Sequence, residues 1–126
     1  MAKKLTATDL QQLRSTVAAV SAADSDVPSA ALAAASRTVC ALLTAAFPGG
    51  SVELRVPPFA AVQLGIGERG RHTRGTPPNV VQTDALTLLL LASGQLSWAD
   101  ARDAHRVQAS GPHSDLGALW PVPELT

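Results

Sequence analysis

A chain of 126 residues has room for one domain with a true core, and 46% hydrophobic but only 3% aromatic residues make that core one of Ala, Leu and Val. Ten basic and ten acidic residues cancel to a formal net charge of zero, which excludes a chain-wide basic field for nucleic acid or anionic membranes. The single cysteine, Cys40, excludes an internal disulfide, and in its Ala/Leu-rich surroundings it reads as a small buried hydrophobe.

The elements follow in order. Thr8 with Gln11 predicts a capping box ahead of a helix whose apolar stripe is Leu10, Leu13, Val17 and Val20. Residues 21–29 form a polar break, and Pro28 opens a second helix carrying Leu32, Ala35, Val39, Leu42, Leu43 and Ala46 at helical spacing. Pro48-Gly49-Gly50 ends it. Each helix has one apolar side, so the pair over residues 1–50 covers something else. Residues 51–56 (SVELRV) alternate with period two as a half-buried strand, and Pro57-Pro58 turns the chain into a second strand over 59–64. A glycine-rich turn over 65–75 leads through Pro77-Pro78 to a strand at Val80-Val81-Gln82, and its arm over 69–74 is placed to pair back as a hairpin.

The most apolar run comes next. Thr83 and Asp84 separate strand from helix, and either side chain can accept the first free helical N–H groups. Leu86, Leu88, Leu89, Leu90 and Leu91 then put leucine on nearly every face, which predicts a helix buried on most sides and stopped by Gly94. Ser97 with Asp100 opens a short helix bearing Trp98, residues 106–109 (RVQA) read as a last strand, and Ser114-Asp115 starts a terminal turn with Leu116, Leu119 and Trp120. The order predicts a single α+β domain over 1–126: a helical pair, then strands with inserted helices, the helices lying over one face of the sheet. No apolar run approaches the ~20 residues of a membrane span, and no leader-like apolar stretch follows Lys3-Lys4. A cytoplasmic location, without stable membrane insertion, is the expectation.

Several patterns resemble catalytic or binding motifs. Residues 65–70 (GIGERG) match GxGxxG after a strand, but the Thr76-Pro77-Pro78 that follows cannot open the helix a dinucleotide site needs. Arg69, Arg71, His72 and Arg74 are the densest basic cluster, able to meet an anionic group or to be solvated or paired with Asp84 or Glu53. No aromatic platform accompanies them, which disfavours nucleic acid. His72, His105 and His113 lack metal-ligand spacing, no GxSxG elbow is present, and Asp100 and Asp103 beside Arg102 and Arg106 read as a salt-bridged exterior. No cofactor, metal or catalytic set is expected.

VELRVPPFAAVQ (52–63), RHTRGTPPNVV (71–81), TDALTLLLLASGQLSWADA (83–101) and RVQASGPHSDLGALWP (106–121) resemble the bacterial sterol-carrier-protein-related family. The resemblance implies the SCP2-like fold, a mixed, mostly antiparallel sheet covered by helices with an apolar tunnel between. Where the family often has an acidic residue before the Thr-Asp pair and proline after it, this chain has Gln82 and Ala85. A non-catalytic carrier of a lipid-like ligand (a sterol, fatty acyl chain or similar) is the expectation. Val52, Leu54, Val56, Phe59, Leu86, Leu89, Leu90, Trp98 and Leu116 are the expected lining, and Arg71 and Arg74 the expected partners of a polar end group. The alternative is a structural or protein-interaction module, related to the accessory domain of thiol-dependent maleylpyruvate isomerases, that pairs as a homodimer or with a protein partner.

Overall fold

Strand β1 (Val52–Val56) is five residues of strict alternation, and its burial follows the sequence: Val52, Leu54 and Val56 are inside, Glu53 and Arg55 half out. The computed structural model describes residues 4–22, 26–66 and 79–126. Besides β1 these form α1 (Ala7–Ser21), α2 (Ser29–Ala46), β2 (Ala60–Leu64), β3 (Asn79–Thr83), α3 (Ala85–Ala92), α4 (Trp98–Asp103) and β4 (Val107–Ser110). Two 3₁₀ turns, Gly117–Leu119 and Pro123–Leu125, follow. The hairpin expected over 69–74, with Arg71, His72 and Arg74, lies outside the described residues.

The sheet has the order β2-β1-β3-β4. Antiparallel pairs flank a parallel pair of β1 with β3, so the sheet is mixed. Residues paired across strands share a face. Val56 pairs with Ala60, Leu54 with Val62 and Val81, and Thr83 with Val107, which sets one apolar face under the helices. The other face carries Glu53, Arg55, Gln63, Gln82 and Gln108, with Arg55 paired to Glu53 at 3.2 Å.

Helix α2 packs against α1, α3 and β2, and α1 against α3. By length and composition α2 is apolar enough to cross a bilayer, with a mean hydropathy of 1.4 over 18 residues, contrary to the expectation that no run would approach this. Alanines supply much of that hydropathy. The face carrying Ala35, Val39 and Leu43 is buried within the fold, as in the core helix of a globular domain.

Helix α1 starts two residues earlier than its sequence suggests. The capping box is Thr6 with Asp9: the Thr6 hydroxyl accepts the Asp9 N–H at 3.1 Å, and Asp9 Oδ2 accepts the Thr6 N–H at 2.9 Å. A carboxylate is a stronger acceptor than the Gln11 amide and also suits the helix dipole.

The strand-to-helix joint at β3–α3 is more elaborate. Asp84, not Thr83, is the cap, with Oδ1 accepting the Thr87 N–H at 2.8 Å and Oδ2 the Thr87 hydroxyl at 2.9 Å. Thr83 instead donates to the Arg106 carbonyl at 2.8 Å, tying β3 to the start of β4. Arg106 turns its Nε–H onto Thr87 Oγ1 at 3.1 Å rather than onto the α4 carboxylates. Thr87 is fully buried, so its hydroxyl both donates and accepts inside the fold.

Beyond the joint, Leu88, Leu89 and Leu91 are 0–1% exposed, whereas Leu86 is 45% exposed and Leu90 half-buried. Positions 86 and 90 form one stripe of the helix, the only side of α3 that the described residues leave open. Gly94 ends the helix at a positive φ of 79°, with its N–H on Leu91 O and the Gln95 N–H on Leu90 O.

Replacing Asp84 by Ala is expected to lower stability by about 1–2 kcal/mol, against about 0.5–1 kcal/mol for Thr6→Ala, because only Asp84 satisfies a buried hydroxyl as well as a helix end. Urea denaturation of the two variants checks the order, and equal losses would contradict it.

Candidate functional site

The flank of α2 that faces the sheet edge is built from small side chains. Arg37, Ala41, Thr44 and Ala45 recur at helical spacing beside the buried Cys40, and across from them lie Ala60, Ala61 and Val62 of the edge strand β2, with Phe59 before it. Alanine faces alanine here, so helix and strand leave a groove of about 730 Å³. That is within the roughly 300–1,000 Å³ of small-molecule sites. Lys4 and Leu5, leading into α1, close one part of it.

The polar atoms of the walls are already committed. Thr44 donates its hydroxyl to the Cys40 carbonyl at 2.8 Å, a bond within its own helix. Burial pushes the Cys40 thiol from its ordinary 9.0 up to about 12, so it is neutral and apolar at physiological pH. Lys4 and Arg37 are the charged members of the lining, and neither makes a hydrogen bond or ion pair with a described residue.

Two further depressions adjoin other elements. A groove of about 930 Å³ runs between α1 and α2, lined by Leu13, Ala31 and Ala34 but also by Thr8, Gln11, Gln12 and Thr16, and it shares Leu5, Arg37 and Ala41 with the first. A smaller cleft of about 390 Å³ at the β3–α3 joint has polar walls: Gln82, Asp84, His105, Arg106 and Gln108. His105 has a φ of 57° there, and its N–H bonds Arg102 O while the Arg106 N–H bonds Ala101 O, the left-handed closure of α4. Among the described residues no three His, Cys, Asp or Glu side chains come together as metal ligands.

Of the residues expected to line a tunnel, Phe59 lies at the α2–β2 groove. Val52, Leu54, Val56, Leu89 and Leu116 are 0–1% exposed and belong to one apolar cluster. Trp98 packs at the edge of the same cluster, where a side chain at Gly117 would come within 3.3 Å of its Cδ1. Leu90 is half-buried and Leu86 faces outward. Arg71 and Arg74 lie outside the described residues. Gly65, the first glycine of the GxGxxG pattern, has a steric role: a side chain there would collide with the Pro48 carbonyl oxygen, and its N–H bonds Phe47 O at 2.9 Å.

The groove residues Lys4, Arg37, Ala41, Ala45 and Ala60–Val62 carry no motif. Their one trace in the sequence is the run of small aliphatics that implies under-filled packing somewhere in the fold.

The raised Cys40 pKa has a consequence for stability. The neutral thiol favours the fold fully below pH 9, and that contribution is lost as pH rises towards about 12, because the unfolded thiol ionises first. Wild type should therefore lose stability relative to Cys40→Ala across this window, by at most ~1.4 kcal/mol per pH unit. Denaturant midpoints of the two proteins between pH 7 and 11 test this, and parallel alkaline slopes would contradict it.

A comparison with curated proteins returned no match. The family model described as "Bacterial SCP ortholog" matches residues 28–122, from the cap of α2 through the segment that follows the first 3₁₀ turn. With its α+β order, mixed four-stranded sheet and helices on one face, this chain belongs to the bacterial SCP ortholog family.

Proposed function

We propose that the protein binds and carries a slender apolar molecule, an acyl chain or similar hydrocarbon, in the groove between α2 and β2, and performs no chemistry on it. The observation that carries this reading is the groove itself: about 730 Å³, walled by Ala41, Ala45, Phe59, Ala60 and Val62, with its hydroxyl and thiol both withdrawn from chemistry. Membership of the SCP ortholog family supports a lipid-carrying role. The interaction-module reading has less to stand on, since Leu86 is the one large exposed hydrophobic among the described residues and an isolated leucine is ordinary surface.

An apolar groove of this kind makes affinity depend on chain length. Each buried methylene contributes ~0.8 kcal/mol, so affinity should rise about three- to fourfold per carbon through a series of fatty acids until the groove is full. Ala45→Trp, which fills the groove from an exposed helical position, should weaken binding at least about tenfold while the circular dichroism spectrum is unchanged. Displacement of a fluorescent fatty acid measures both. Affinity independent of chain length, or untouched by Ala45→Trp, would count against the groove.

A further inference from the structure

The proposed groove is apolar along its length but not electrically neutral at its lip. Lys4 and Arg37 both line it, and among the described residues no carboxylate does and neither cation has a hydrogen-bonding or charged partner. Arg37 and Leu5 also line the α1–α2 groove, so Arg37 stands where the two depressions meet, and Lys4 is the residue before Leu5. Asp9 is the carboxylate in the walls of that second groove, and it is engaged by the Thr6 N–H at 2.9 Å as the cap of α1. Ala45 lies eight residues beyond Arg37 on the same stripe, about 12 Å along the helix axis. The site is therefore polarised, with positive charge at one end and a hydrocarbon wall at the other.

Resting on the carrier reading above, we infer that the ligand is a single-chain amphiphile with an anionic end, carboxylate or phosphate, held at Arg37 and Lys4, its chain running along α2 towards Ala45. A guanidinium offers paired N–H donors to such oxyanions, and the apolar wall beside it lowers the local dielectric, which strengthens the pairing. A neutral head leaves both cations with water alone, and a cationic head is repelled. The polar side of the α1–α2 groove, with Gln11, Gln12 and Thr16, gives room for a head larger than a bare carboxylate.

The test holds chain length fixed and varies the head. Dodecanoate, dodecyl phosphate, dodecanol and dodecyltrimethylammonium, all below their micelle concentrations, are titrated into the full chain, with inorganic phosphate as a competitor. The two anions are expected to bind about three- to tenfold tighter than the alcohol, the ammonium weakest, and the preference to shrink at high salt. Arg37→Gln combined with Lys4→Gln should bring the anion-to-alcohol ratio close to one, and Arg37→Lys should retain most of it. Equal binding of acid and alcohol would overturn this inference and leave the apolar groove standing, whereas no binding by any amphiphile would remove both. Competition by inorganic phosphate alone, at the same affinity as dodecyl phosphate, would also overturn it, because the chain would then contribute nothing.

Discussion

A single buried hydroxyl holds the architecture together. Thr87 donates to Asp84, which caps α3, and accepts from Arg106, which opens β4, while Thr83 on the adjoining strand bonds the Arg106 carbonyl. These bonds lock the last residue of β3, the first turn of α3 and the entry to β4 into one geometry. Thr87 is fully buried although Asp84 is exposed, so removing Asp84 or Arg106 leaves the Thr87 hydroxyl short of a partner. The joint thereby sets how α3 lies, and α3 supplies the leucines that close the interior.

That closure determines where open space is left. Leu88, Leu89 and Leu91 share one apolar cluster with Val52, Leu54, Val56, Val81 and Leu116, all 0–1% exposed. At the sheet margin the large side chains run out. Helix α2 presents Ala41 and Ala45, and β2 presents Ala60 on its helix-facing side, so the side chains along this seam are too short to fill the space between the two elements. The shortage of large aromatic fillers, visible in the composition, is felt along this seam, where Phe59 is the one aromatic side chain among the described lining residues.

The parts that local chemistry decides could be read from the residues. Asp84 before a leucine run and Gly94 after it mark the ends of α3 because capping depends on a few neighbouring atoms, and the alternation of 51–56 gave β1 its buried face. The cap of α1 was displaced by two residues because Thr6–Asp9 and Thr8–Gln11 overlap, and only the energies of the two acceptors separate them. The parallel pairing of β1 with β3 left no trace, since it depends on distant segments meeting. The groove was hidden for the same reason. Nothing local distinguishes Ala41 and Ala45 from other alanines of α2 until β2 is laid beside them, and Val52, Leu54, Val56, Leu89 and Leu116, favoured as lining by their hydrophobicity, are buried in the apolar cluster. Of the expected lining, Phe59 alone reaches the groove because it sits at the turn into the edge strand rather than within the sheet.

The central claim is that hydrocarbon binds at the margin, between α2 and β2, and not within the packed interior. A crystal structure of the protein with an ω-brominated dodecanoate tests it most directly, because the anomalous signal of bromine locates the end of the chain. The account predicts a bromine peak beside Ala45 with the carboxylate at Arg37. A peak among Leu54, Leu89 and Leu116, showing that the core opens to admit the chain, would contradict it.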